Sequence, residues 1–383
     1  MASGWTVARA ELLIVAGEVS GDTHAGNLLR ELRALAPDVH AFGVGGERLV
    51  DSGLEAVATS DELSHMGLVE VLRELPRIRR LMGRLVAEAR RRGPALAVLV
   101  DSPDFNLRLA ARLGAIGVPV VLYVSPQLWA WRRGRVRAVA RLAREVLCLL
   151  PFEVPFYAAH GVRARYVGHP LVDEIARVGL LDHGLNPEPG RLALLPGSRA
   201  MEIRQLLPVM IDTLRALPAE LVQEAILVEA PGVGELTDKV LADCPADGRV
   251  RRVRGDGRRH ELARASLAWT ASGTATLECA LLDVPMIVGY RLRAFSFALA
   301  KLLVRVPHVA LVNLIAEEAV VPELLQSAWN PGVLARESEQ LLRGAGAEQR
   351  RGLATVRRRL GGQGASRTAA EAVAEHLADA RAG

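Results

Sequence analysis

The chain has 383 residues, half of them hydrophobic, and a formal net charge of +5 at pH 7. Single cores stop growing at roughly 250–300 residues, so two domains are expected. No apolar run nears the roughly 18–20 residues that span a bilayer, and Cys148, Cys244 and Cys279 lie too far apart for a CxxC metal site or a disulfide framework. What remains is a soluble or peripheral protein of a reducing cytoplasm. Its positive charge is almost all arginine, since Lys239 and Lys301 are the only lysines, and that surplus suits an anionic partner.

Short apolar runs alternate with helical patterns through the first half, as in a parallel α/β sheet. Leu12–Ala16 reads as a first strand, too short for a signal-peptide core and followed at once by Glu18. The turn Gly17-Glu18-Val19-Ser20-Gly21-Asp22 then opens a helix running through Leu35. Such a turn offers free N–H groups to an oxyanion, or it is a plain turn with Ser20 or Asp22 as helix cap. Further strands are expected at Val39–Val44, Ala95–Val100, Val118–Val124, Val146–Leu149 and Arg165–Val167, with helices including Leu107–Leu113 and Val136–Ala143. Met66 to Leu81 mixes an apolar face (Met66, Leu68, Val69, Val71, Leu72, Leu75) with Arg73, Arg77, Arg79 and Arg80, and Pro76 predicts a kink. That pattern suits a membrane interface or an ordinary packed helix. Asp101-Ser102-Pro103-Asp104 ends an apolar strand, placing two carboxylates where either a cap or a general base can sit. Trp129-Ala130-Trp131-Arg132-Arg133 suits interfacial anchoring, sugar stacking or core packing, and His24 and His169 are the only histidines near the proposed ligand turns.

A polar stretch around 182–190 reads as a linker, after which the pattern restarts. Strands are expected at Leu192–Leu195, Ala225–Val228, Leu267–Thr270 and Pro285–Val288, and a long helix from about Met201. Pro196-Gly197-Ser198-Arg199 joins a strand to that helix, with Ser198 as a cap and Arg199 as a fixed positive fork. Ser272-Gly273-Thr274 repeats the design, and Glu278 follows on the next helix, where it can accept from a ribose diol. Together the two turns favour a nucleotide diphosphate. Nicotinamide, P-loop, HExxH and GxSxG signatures are absent, as is any DxD, so no metal and no cofactor are expected. No nucleic-acid recognition motif accompanies the arginines.

In order along the chain, several runs resemble the bacterial lipid A disaccharide synthase family. They are 16–22, 66–72, 101–106, Tyr123-Val124-Ser125-Pro126 with Trp129-Ala130-Trp131-Arg132, Leu150-Pro151-Phe152-Glu153, 194–199, 271–279 and 285–291. The resemblance implies a glycosyltransferase-B fold, two Rossmann-like parallel-sheet domains facing a cleft. It implies an acceptor and membrane-facing domain at 1–185, a UDP-sugar domain at 186–345, and C-terminal helices at 346–383 that pack back on the first domain or exchange in a homodimer. It further implies transfer of 2,3-diacylglucosamine from its UDP donor to 2,3-diacylglucosamine 1-phosphate, with inversion, to give a β-1,6-linked disaccharide and UDP. By the same resemblance Ser198, Arg199, Ser272, Gly273, Thr274, Glu278 and Asn313 would hold the nucleotide. Asp101, Glu18 and Asp104 remain open as the base, with Asp101 leading. The segment containing Met66 and Leu75 would touch the lipid acceptor or the inner-membrane surface from the cytoplasmic side. The alternatives are another glycosyltransferase-B enzyme acting on a UDP-N-acetylglucosamine-type substrate, a UDP-sugar epimerase, and a binding module without chemistry.

Overall fold

The structure, a computed structural model, describes residues 10–64, 71–130, 133–181, 187–245, 248–255, 257–291 and 306–382. It divides into two units, Met1–Pro170 with Gln363–Gly383, and Leu171–Gly362. The polar stretch at 182–190, the linker expected from composition, follows the first division by about a dozen residues.

In the first unit β1 (Ala10–Ala16), β2 (Val39–Gly45), β3 (Glu55–Thr59), β4 (Leu96–Val100), β5 (Val120–Tyr123), β6 (Glu145–Cys148) and β7 (Ala164–Tyr166) pair in parallel in the order β3-β2-β1-β4-β5-β6-β7. Parallel strands are covered on both faces, so central ones read as unbroken apolar runs. Leu12 through Ala16 and Leu96 through Val100 are buried throughout. One face carries the helices Val19–Leu35 and Ala365–Ala382, the other Val71–Arg92, Pro103–Gly114 and Val136–Leu142. The helix Val71–Arg92 runs through Pro76, whose missing N–H leaves one intrahelical bond unmade. The last helix of the chain completes this core: Ala369, Ala370, Val373 and Leu377 pack with Leu28, Leu29 and Leu32. Its buried His376 Nε2 lies 2.8 Å from Glu145 Oε2, and Arg165 reaches Glu375 at 2.7 Å.

The second unit repeats the plan. Strands β8 (Glu188–Leu195), β9 (Glu224–Val228), β10 (Val250–Val253), β11 (Ala265–Ala271), β12 (Met286–Tyr290) and β13 (Glu323–Leu325) run parallel in the order β10-β9-β8-β11-β12-β13. Trp269 and Trp329 are buried beneath the helices Ala200–Ala216 and Pro331–Gln340, and Trp269 Nε1 donates to Ser338 Oγ at 2.8 Å. Sequence reading did not anticipate β3, β10 or β13. All three are sheet edges, short and bearing charges such as Glu55, Arg251 and Glu323, as edges paired on one side only tend to be.

Strand order reverses between β1 and β4 in one sheet and between β8 and β11 in the other. In such sheets ligands bind beyond the carboxyl ends of the strands at the reversal. No helix among the described residues is long and apolar enough to cross a membrane.

Candidate active site

At the first reversal, β1 ends into Glu18 and β4 into Asp101. Asp101 and the following Ser102 have φ of +52° and +40°, a region non-glycine residues seldom occupy and one that clusters at functional sites. The turn is held from below. Buried Asn106 donates from Nδ2 to the carbonyls of Val100 (3.0 Å) and Asp101 (2.7 Å), and Asp101 N donates to Tyr123 O at 3.0 Å. Burial pushes the Asp101 carboxyl above its ordinary value, while the Ser102 backbone N–H and the charge of His24 pull it down. His24 also sets its ring edge toward Tyr123, with centroids 6.4 Å apart.

The other two carboxylates sit differently. Glu18 is exposed at the N-cap of the helix Val19–Leu35 and makes no side-chain cap bond. Asp104 is exposed and ion-paired with Arg135. Neither Ser20 nor Asp22 caps the first helix. Asp22 lies inside it, and its buried carboxylate instead accepts from Gly46 N (2.6 Å), Arg48 N (3.1 Å) and Leu49 N (3.3 Å), capping the helix Glu47–Asp51. Met66, Leu68 and Val69 lie outside the described residues, as do the side chains of Val71, Leu72 and Leu75.

At the second reversal, β8 ends into Gly197-Ser198-Arg199. Gly197 has φ +109°, and a Cβ there would fall 2.3 Å from Glu202 Oε2, so only glycine fits. Arg199, not Ser198, holds the N-cap position of the helix Ala200–Ala216. Glu202 Oε2 accepts from Ser198 N and Arg199 N, each at 3.2 Å, which orders the turn. Arg199 projects into solvent, its side chain 83% exposed, close enough to Tyr290 for its charge to act on that phenol.

Beside it β11 ends into Ser272-Gly273, and the helix Thr274–Leu281 begins. In its first turn Thr276 N donates to Gly273 O at 3.0 Å, while the N–H groups of Thr274 and Ala275 precede any carbonyl the helix can offer them. Gly273 has φ +150° with open space where a Cβ would stand, leaving that helix start accessible to an anion. Ser272 Oγ donates to Val309 O at 2.9 Å. Glu278 Oε1 accepts from Arg259 Nε at 2.6 Å, and Arg259 also pairs with Glu174. Arg259 escaped sequence reading because nothing in its spacing from Glu278 marks the pair. Asn313 is buried with its amide bonded inside the protein: Nδ2 to Val321 O (3.0 Å) and Glu323 Oε1 (2.8 Å), Oδ1 from Val321 N (2.9 Å). Glu323 in turn accepts from Val309 N at 2.9 Å and Ala310 N at 3.0 Å, so Asn313 reaches the Ser272 turn through that loop.

Solved structures share the architecture. A UDP-GlcNAc 2-epimerase from Neisseria meningitidis bound to UDP-GlcNAc superposes with a TM-score of 0.64 at 10% identity, covering 95% of this chain and 100% of that one. MurG from Acinetobacter baumannii gives 0.57 at 14% identity over 95% and 98%. At such identities the likeness establishes the fold, the glycosyltransferase-B type of two parallel α/β units. Sequence goes further. The family described as Lipid-A-disaccharide synthetase matches residues 12–376. The lipid-A-disaccharide synthase of Myxococcus xanthus (strain DK1622) is 44% identical over 378 residues, 97% of this chain and 98% of the relative. That of Anaeromyxobacter dehalogenans (strain 2CP-1 / ATCC BAA-258) is 46% identical over 377 residues, 95% and 96% of the two chains. With the motif turns at both sheet reversals and likeness along almost its full length, the chain belongs to the lipid-A-disaccharide synthase family.

Proposed function

We propose that this chain is an inverting, metal-independent glycosyltransferase. It moves 2,3-diacylglucosamine from UDP to the 6-hydroxyl of 2,3-diacylglucosamine 1-phosphate, giving a β-1,6-linked disaccharide 1-phosphate and UDP. The observation that carries this is that each sheet reversal bears one half of the required chemistry. One has a desolvated carboxyl; the other has an arginine, an open helix start and the Glu278 carboxylate held by Arg259.

Asp101 takes the proton of the acceptor hydroxyl, whose oxygen then attacks the anomeric carbon on the face opposite UDP. Burial raises its pKa above the ordinary aspartate value, which makes it a stronger base than an exposed carboxylate. The C–O bond to the diphosphate breaks, and the charge left on UDP is met by the Arg199 guanidinium and the helix start at Gly273-Thr274. Glu278 receives the ribose hydroxyls through the oxygen that Arg259 leaves open. Ser272 and, through Glu323, Asn313 hold the loop beside that helix start. The segment at 66–75 meets the cytoplasmic face of the inner membrane, from which the lipid substrates come.

The test is UDP release on mixing the two lipid substrates with the protein, with EDTA present throughout. Acceptor-dependent release with a disaccharide product is expected. Asp101→Asn should cut turnover by about 10²–10⁴-fold while UDP affinity stays unchanged, and wild-type turnover should fall with acidity at a pH above the ordinary carboxylate range. Full turnover in Asp101→Asn would move the base elsewhere. UDP binding without transfer in wild type would point to a different acceptor.

A further inference from the structure

A carboxyl that this mechanism does not use follows β6, two strands over from Asp101 at the end of β4. Glu153, at the start of the helix Glu153–Ala158, is 2% exposed. Oε1 accepts from Trp129 Nε1 at 3.0 Å and Oε2 accepts from Leu150 N at 3.2 Å. Around it stand Ser125 and Trp129 from the segment after β5, Cys148 from β6, Tyr157 from its own helix and Tyr166 from β7. Among the described residues it makes no ion pair, and the groups that lower its pKa most are neutral donors. A carboxyl buried without a cation is a poor way to gain stability, and such groups gather at functional sites.

What it holds is the segment leaving β5. Val124 has φ +63°, a strained conformation for a β-branched residue, and such strain persists only where neighbours over-determine it. Three contacts from the Glu153 helix and the residue before it do so. Glu153 takes Trp129 Nε1, Tyr157 OH donates to Pro126 O at 2.7 Å, and Phe152 meets the Trp129 ring edge-on with centroids 4.9 Å apart. The same segment begins at Tyr123, whose carbonyl accepts from Asp101 N and whose ring faces His24.

We propose that Glu153 is a positioning residue for the acceptor half of the reaction, fixing the strained segment Val124–Trp129 through Trp129 and so the wall beside Asp101. This rests on Asp101 being the base. Burial pushes Glu153 to about 7, against the donors Trp129 Nε1 and Leu150 N. The anchor is therefore a full acceptor above that pH and loses an acceptor position below it.

The experiment measures kcat/KM for the acceptor and the Kd for UDP in Glu153→Gln, Trp129→Phe and the double variant, each checked for an unchanged melting temperature. Each single change is expected to lower kcat/KM by roughly tenfold, with the double no worse than either and UDP affinity unmoved. The wild-type profile should carry a step near pH 7 that Glu153→Gln lacks. Additive losses, no loss, or a step surviving in Glu153→Gln would overturn the proposal. Should Glu153→Gln itself melt early, the Trp129→Phe profile decides, because it keeps the carboxyl while removing its donor. A turnover defect absent from Asp101→Asn would sink the base assignment alone, since the Glu153–Trp129 coupling is read independently of it.

Discussion

At the scale of single residues, identity matters less than the dielectric around it. Three carboxylates compete for one role, and only Asp101 is partly withdrawn from water, with its ionisation displaced upward by burial. Asp104, three positions on, is exposed and neutralised by Arg135. Asn313 makes the same point in the second unit: its amide is fully bonded to Val321 and Glu323, and through Glu323 it reaches the loop of Val309 and Ser272. Asn313→Ala leaves Val321 N–H and its carbonyl short of a buried partner. It should cost about 1–3 kcal/mol of stability and weaken UDP binding in calorimetric titration. Unchanged stability would mean water replaces the amide. The Ser198-Arg199 turn was legible as a strand-to-helix connection, but Glu202 as its organiser was not, since a glutamate in a helix's first turn is commonplace.

At the scale of elements, the central strands and the turns that follow them were legible because burial on both faces writes them as apolar runs closed by glycine. The edge strands β3, β10 and β13 were not, and neither was the partner of Asp22, which lies 24 residues on at Gly46. Docking of the final helix is likewise a long-range event. His376, Arg163 and Arg165 converge on buried Glu145. Burial raises the Glu145 carboxyl, but the His376 hydrogen bond and the arginine charges outweigh it and hold it below its ordinary 4.5. A depressed folded-state pKa gives stability that is present above the unfolded value and lost as pH falls through the folded one. Glu145→Gln should therefore melt lower than wild type above about pH 4.5, with the gap closing as the pH drops below it. A gap independent of pH would mean that the ion cluster adds nothing.

At the scale of the whole molecule, the last helix belongs to the first unit although it follows the second in sequence. It covers Leu28, Leu29 and Leu32 on the helix Val19–Leu35. A chain ending at Gly362 should bare that apolar face, bind a hydrophobic dye and melt at lower temperature, yet still bind UDP in the second unit. Loss of UDP binding together with dye uptake would show the two units to fold as one. The sequence by itself determined the class of fold, the two α/β repeats, the strand-end turns and the family, because these depend on local periodicity and on short motifs in a fixed order. Only the tertiary structure decided which strands lie side by side, and hence that Glu18 and Asp101 share one reversal, that Arg259 grips Glu278, and that Glu153 anchors the segment beside Asp101. Those relations join residues far apart along the chain, and burial, charge pairing and strain arise only once the sheet has brought them together.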